Sequence, residues 1–216
     1  MKYFIANWKA NNNLTETENW IAEFLKLYQP HEDKTVIICP PFPFITILNQ
    51  KINQTKHLKV GCQDLSTVED GPYTGEVTAK SLAGLADYAI IGHSERRQKF
   101  NELDTAITKK INLAKKYQIE PILCIGDEKD WLANDQIKFV AYEPVYAIGS
   151  GYNEPVEKVV KLKNRLNLNP DTVFLYGGSV NEKNAYNYLK NEQINGLLIG
   201  SASLNPIGFY KIISQI

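Results

Sequence analysis

The chain has 216 residues, 44% of them hydrophobic, with 24 basic residues against 24 acidic ones. That is enough apolar material to bury a full core as one domain over residues 1–216. Balanced charge argues against a nucleic-acid or membrane-surface partner, and no apolar run reaches the roughly 20 residues of a membrane-spanning helix.

In chain order, eight short apolar runs read as strands: residues 3–6, 35–39, 58–61, 88–91, 121–124, 137–142, 173–176 and 196–199. Helical patterns separate most of them. The first helix opens with Thr15 and Glu18 at capping-box spacing, then buries Trp20, Phe24 and Leu27 or Tyr28. Asp104 is placed to cap a helix with Ile107, Ile111 and Ala114 on one face, and Pro155 and Pro206 suit first-turn positions. Short strands alternating with helices predict an α/β fold with a parallel sheet. The N-terminus enters a strand directly, which predicts no signal peptide. Cys39, Cys62 and Cys124 lack metal-ligand spacing and lie in apolar strand-like contexts. Reduced thiols and a cytoplasmic location follow as expectations.

Three strand ends carry groups of different chemistry. Glu143 follows the apolar run at 137–142; Pro144 ends ordinary strand pairing, and Gly149 and Gly151 loosen the segment beyond. A carboxylate fixed at a strand end beside a hinged lid suits proton abstraction with water excluded. His93 follows Ile90, Ile91 and Gly92, and Ser94 and Glu95 after it are early-helix residues. A helix N-terminus disfavours a protonated imidazole, so a neutral His93 can polarise a carbonyl. Lys9 follows the first strand after Asn7 and Trp8, where a fixed cation can face a developing oxyanion. In a parallel (β/α) barrel all strand C-termini meet on one face, where the active site forms.

These segments resemble the triosephosphate isomerase family. The matching stretches are NWK at 7–9, YTGE at 73–76, GHSERR at 92–97, PILCIG at 121–126, YEPVYAIGSG at 142–151, YGGSV at 176–180 and IGSASL at 199–204, all in family order. That family is itself a known example of a carboxylate base, a neutral histidine and a closing loop, so the pattern arrives with the resemblance. The resemblance implies a (β/α)8 TIM barrel that interconverts D-glyceraldehyde 3-phosphate and dihydroxyacetone phosphate through an enediol(ate), in glycolysis and gluconeogenesis. It implies Glu143 as base, His93 as neutral acid, Lys9 as stabilising cation, Asn7 as support from the same turn, and Glu95 as the acidic partner of Lys9. It places phosphate on Gly149, Ser179, Gly200 and Ser201, with Tyr176 and Ser179 also holding the closed lid. Cys124 matches a buried family cysteine near the base. No metal and no cofactor is implied. The partner is a small phosphorylated triose, and a homodimer is implied through the loop around Thr74, with Glu76 reaching Arg96 across the interface.

The chain also departs from the family. A typical barrel of this kind has about 250 residues. Here only residues 125–136 separate the fifth and sixth strands, which predicts a fifth helix lost or reduced to a short turn. That would uncover barrel wall, over which Trp131 and Leu132 are expected to fold. Tyr146 stands where the family usually has Trp, and the far hinge reads Tyr152, Asn153, Glu154. Ser201 replaces a second glycine and would be strained if its φ were positive. Asp127 replaces the commoner Glu. Two other functions compete: another phospho-sugar isomerase on the same barrel, and a non-catalytic scaffold. The retained Lys9, His93 and Glu143 argue against both.

Overall fold

The computed structural model describes residues 1–130, 137–147 and 151–216. Among these the elements run β1 (Lys2–Asn7), α1 (Leu14–Leu27), β2 (Lys34–Cys39), α2 (Ile45–Ile52), β3 (Leu58–Cys62), α3 (Ala79–Leu82), β4 (Tyr88–Ile91), α4 (Ser94–Lys99), α5 (Asp104–Lys116), β5 (Glu120–Ile125), β6 (Phe139–Tyr142), α6 (Val156–Arg165), β7 (Val173–Tyr176), α7 (Ala185–Leu189), β8 (Gly196–Ile199) and α8 (Pro206–Ile213). The strands close a barrel in sequence order, with β1 paired to both β2 and β8. Every pairing is parallel. This is the expected (β/α)8 TIM barrel.

Period-two alternation sorts the side chains into two cores. Ile5, Ile37, Ile90, Ile122, Cys124, Phe139, Ala141, Leu175 and Leu198 fill the barrel interior. Tyr3 and Tyr88 meet Phe139 edge-on, with ring centroids 4.9 and 5.4 Å apart. The alternate residues, among them Phe4, Val36, Ile38, Ile91, Val140 and Leu197, pack outward against the helices. On that side Trp20 of α1 stacks on Phe24, meets Trp8 edge-on, and donates its indole N–H to Ser203 O at 3.0 Å.

Some boundaries differ from those the sequence suggests. Helix α1 is capped by Asn13, not Thr15: Asn13 Oδ1 accepts Glu16 N–H at 3.0 Å, and Glu16 returns to Asn13 N–H at 2.8 Å. Asn13 O also accepts the first helical bond, from Thr17 N–H. Leu103 occupies the cap of α5, leaving Asp104 in the first turn, where its charge suits the helix dipole. Pro155 is the cap residue of α6, and Pro206 opens α8 as expected.

Among the described residues of the β5–β6 connection, the regular structure is a single 3-10 turn over Glu128–Asp130, in line with the expected reduction of the helix after β5 to a short turn. The turn is tied at both ends. Glu128 pairs with Arg165 of α6 at 2.6 Å, and Asp130 accepts Gly126 N–H at 2.7 Å and lies 3.6 Å from Arg97 of α4. Leu123, Ile125, Val140 and Tyr142 are all buried, in one apolar cluster with Ile111 of α5 and Val159 of α6. The expected fold-back of Trp131 and Leu132 lies outside the described residues. No described helix is long and apolar enough to cross a membrane.

Candidate active site

Register aligns the strand ends: Asn7 pairs with Cys39, Ala6 with Ile199, Ile125 with Tyr142, and Tyr142 with Tyr176. The residues just beyond these ends therefore share one rim. There a cavity of about 250 Å³ is lined by Asn7, Lys9, Glu143, Gly177, Ser179, Asn181, Leu198, Gly200 and Ser201, among others. A larger cavity of about 540 Å³ lies between the β3 loop and α4–α5. Four of its five charged residues, Asp64, Arg96, Glu102 and Lys110, pair among themselves. The smaller cavity is the candidate site, because the strand-end groups converge there.

The turn after β1 is built around Asn7, whose Oδ1 accepts Lys9 N–H at 3.1 Å. Lys9 has a left-handed backbone (φ 53°), uncommon for a side-chain-bearing residue. It is fixed from outside: Gln63 Nε2 donates to Lys9 O and to Cys39 O, both at 2.9 Å. Lys9 Nζ reaches Glu95 Oε1 at 2.6 Å. Burial raises the Glu95 pKa, but the Lys9 hydrogen bond and charge lower it more, so the carboxyl sits below its usual value.

His93 caps α4 and is almost fully buried. Its Nδ1 accepts Glu95 N–H at 3.1 Å, which places a lone pair on Nδ1 and the ring proton on Nε2. Nε2 lies 3.2 Å from Glu143 Oε1, but the approach is not aligned as a full hydrogen bond, and Nε2 has no other partner. Burial opposes a second proton on the ring. Burial is the largest single influence, but the Glu143 carboxylate, with Glu95 behind it, outweighs it, so the net shift is upward. The expected downward pull of the helix end is thus outweighed by Glu143. A second proton would still have to break the bond that Glu95 N–H makes to Nδ1.

Glu143 leaves β6 with its N–H on Ile125 O at 2.8 Å. The residue is 4% exposed, and Oε2 is buried with no hydrogen-bond partner. Cys124 lies against it; burial first and the Glu143 charge second push the thiol pKa far up. Gly177 supports Glu143 from β7: a Cβ at position 177 would come within 2.8 Å of Glu143 Cγ. Ser179 (φ 48°) turns the β7 loop and donates its hydroxyl to Ala147 O. Ser201 opens a 3-10 turn over Ser201–Ser203. It is not among the positive-φ residues, so the feared strain is absent.

The structure thus brings Asn7, Lys9, Glu143, Ser179, Gly200 and Ser201 to one cavity. His93 and Glu95 stand outside its lining; His93 meets it through Glu143, and Glu95 through Lys9. Gly149 lies outside the described residues. Gln63, Gly177, Asn181 and Leu198 were not singled out from sequence. Leu198 was within reach, as an inward position of the last strand, and Gly177 lies within the YGGSV match; the others carry no local signal.

A sequence profile of the triosephosphate isomerase family matches residues 2–216. The chain belongs to the triosephosphate isomerase family. It is 39% identical to the triosephosphate isomerase of Aquifex aeolicus (strain VF5) over 96% of both chains. It is 35% identical to those of Dictyoglomus turgidum (strain DSM 6724 / Z-1310) and Mesomycoplasma hyopneumoniae (strain 7448), each over 98% of both chains. It is accordingly an isomerase that interconverts D-glyceraldehyde 3-phosphate and dihydroxyacetone phosphate, a step of glycolysis.

Proposed function

We propose that Glu143, His93 and Lys9 perform this isomerisation within a single barrel domain spanning residues 1–216. The carrying observation is a pair of buried, unpartnered atoms side by side at the strand ends: Glu143 Oε2 and His93 Nε2. A buried polar atom without a partner is costly; a substrate offering a C–H proton and a carbonyl oxygen relieves both. Glu143 removes a proton from C1 of dihydroxyacetone phosphate, and the C1–H electron pair forms the C1=C2 bond as the C2 carbonyl becomes an enediolate oxygen. His93 Nε2–H hydrogen-bonds the two oxygens and moves a proton between them. Glu143 then returns its proton to C2, leaving the aldehyde at C1. Lys9, steered by Glu95 and supported by Asn7, offsets the enediolate charge where water is excluded.

Phosphate binds at the β7–β8 end of the cavity, on Ser179, Gly200 and Ser201, with Gly149 from the lid over it. Backbone N–H groups at the start of the 3-10 turn at Ser201 suit an anion. The reaction serves gluconeogenesis as well as glycolysis, in the cytoplasm, and needs no cofactor.

The enzyme works as a homodimer through the loop around Thr74. That loop is exposed, and apolar Phe42, Tyr73, Phe100 and Leu103 stand open on or near the adjoining 540 Å³ cavity. Such a patch suits a second copy of the same surface. Inside the chain Arg96 already pairs with Asp64 and Glu102, and Glu76 accepts the Ser66 hydroxyl. A Glu76–Arg96 pair across the interface would have to form in addition to these.

The test is turnover of D-glyceraldehyde 3-phosphate by wild type and by Glu143→Gln. Loss of turnover by orders of magnitude, with phosphate-ligand affinity little changed, is expected of a base acting in the transition state. A Glu143→Gln variant with wild-type turnover would refute the assignment.

A further inference from the structure

Beyond the cavity, the chain returning towards α6 is held by tyrosines from two elements. Tyr176, the last residue of β7, accepts Glu154 N–H on its hydroxyl at 2.7 Å. Tyr188 of α7 donates its own hydroxyl to Glu154 O at 2.6 Å and accepts Asn153 Nδ2 at 2.8 Å. The two rings stack with centroids 4.1 Å apart and planes 19° from parallel. Tyr142, the last residue of β6, completes the enclosure: burial first, then the nearby Glu154 carboxylate, pushes its phenol up to about 12. Glu154 itself is 4% exposed. Both its backbone groups are thus taken by hydroxyls from β7 and α7.

The same β7 turn shapes the cavity. Tyr176 leads directly into Gly177, which packs on Glu143 Cγ, and into Ser179, which lines the cavity and holds Ala147 O. Tyr188 is 1% exposed and is not on the cavity wall. Any effect it has on the reaction passes through Tyr176 and Glu154.

We propose that Tyr188, assisted by Asn153, is a positioning residue for the isomerisation. Its hydroxyl joins α7 to the stem at Asn153–Glu154, and its ring braces Tyr176, so that the β7 turn and the stem are set before substrate arrives. An apolar side chain there would keep the packing and lose this register, leaving Glu154 O without its donor. Binding would then have to restore the arrangement, and apparent affinity falls by the fraction of molecules correctly set.

This inference rests on Glu143 as base, and the experiment separates the two. Wild type, Tyr188→Phe, Asn153→Ala and Glu143→Gln are compared for kcat, KM, thermal midpoint and affinity for 2-phosphoglycolate, a phosphorylated carboxylate shaped like an enediolate. Tyr188→Phe keeps the ring stack and removes the hydroxyl. Its kcat/KM is expected to fall about fivefold, the worth of one hydrogen bond, with the change in KM and in analogue affinity. Asn153 is exposed, so Asn153→Ala folds and moves KM in the same direction by less. Unchanged KM and analogue affinity in both variants, whatever the thermal midpoint, or a loss confined to kcat, would overturn the proposal. An active Glu143→Gln would remove the base assignment; silent Tyr188 and Asn153 variants beside an inactive Glu143→Gln would remove the positioning role alone.

Discussion

Gly177→Ala should separate the seating of the base from the binding of phosphate. A Cβ at 177 would stand 2.8 Å from Glu143 Cγ, 3.3 Å from Oε1 and 3.3 Å from Leu198 Cβ, whereas ordinary contact begins at 3.4 Å. Relief demands that Cγ retreat by about 0.6 Å, the difference between 3.4 and 2.8. Cγ lies in the middle of the side chain, so the carboxylate moves with it. The backbone of Gly177 is not in the left-handed region, so the cost is steric alone. Misplacing a reacting group by about 1 Å costs about a hundredfold, and a shift of this size therefore predicts a kcat lower by about ten- to a hundredfold. KM should stay near wild type, because Asn7, Lys9, Ser179, Gly200 and Ser201 are untouched. Overpacking should cost about 1–3 kcal/mol of stability. The assay is steady-state turnover of D-glyceraldehyde 3-phosphate beside a thermal melt. A folded Gly177→Ala enzyme with kcat within twofold of wild type would show that Gly177 does not seat Glu143.

Glu95, partner of Lys9, has a folded pKa below its usual 4.5. Such a group stabilises the fold above the unfolded value, and that contribution is lost as pH falls through the folded one. The difference in thermal midpoint between wild type and Glu95→Gln should therefore be widest above pH 4.5 and shrink in more acidic buffer; a constant difference would contradict the pairing. Gln118 ends α5 in a left-handed conformation (φ 60°), with Gln118 N–H on Lys115 O and Ile119 N–H on Ala114 O. This is the position where helices favour glycine, so Gln118→Gly should stabilise by about 1 kcal/mol and raise Tm by about 2–4 °C; a lower Tm would refute that reading. Cys39, Cys62 and Cys124 are free and buried. Burial pushes Cys62 up to about 12 and the other two well above their usual value. A thiol reagent at pH 8 should label none of them in the native protein and all three after unfolding, and a rapidly labelled native thiol would overturn the assignment.

By itself the sequence determined the strands and the polar groups that stand at their ends. Period and punctuation are local: the strands at 88–91, 173–176 and 196–199 coincide with Tyr88–Ile91, Val173–Tyr176 and Gly196–Ile199. Lys9, His93 and Glu143 each stand one or two residues past a strand end, so a parallel barrel had to gather them on one rim. What it could not determine depends on partners distant along the chain. The helix starts two residues before the Thr15 signal, with Asn13 as its cap. Gln63 fixes Lys9 from 54 residues away, and Lys9 meets Glu95 across 86. Gly177 became a seat for Glu143 only when β7 lay beside β6, and the outcome at His93 depended on how close Glu143 came. Local propensity is written in neighbouring residues, whereas packing, hydrogen-bond satisfaction and the field at a buried ring belong to surfaces that exist only once the barrel has closed.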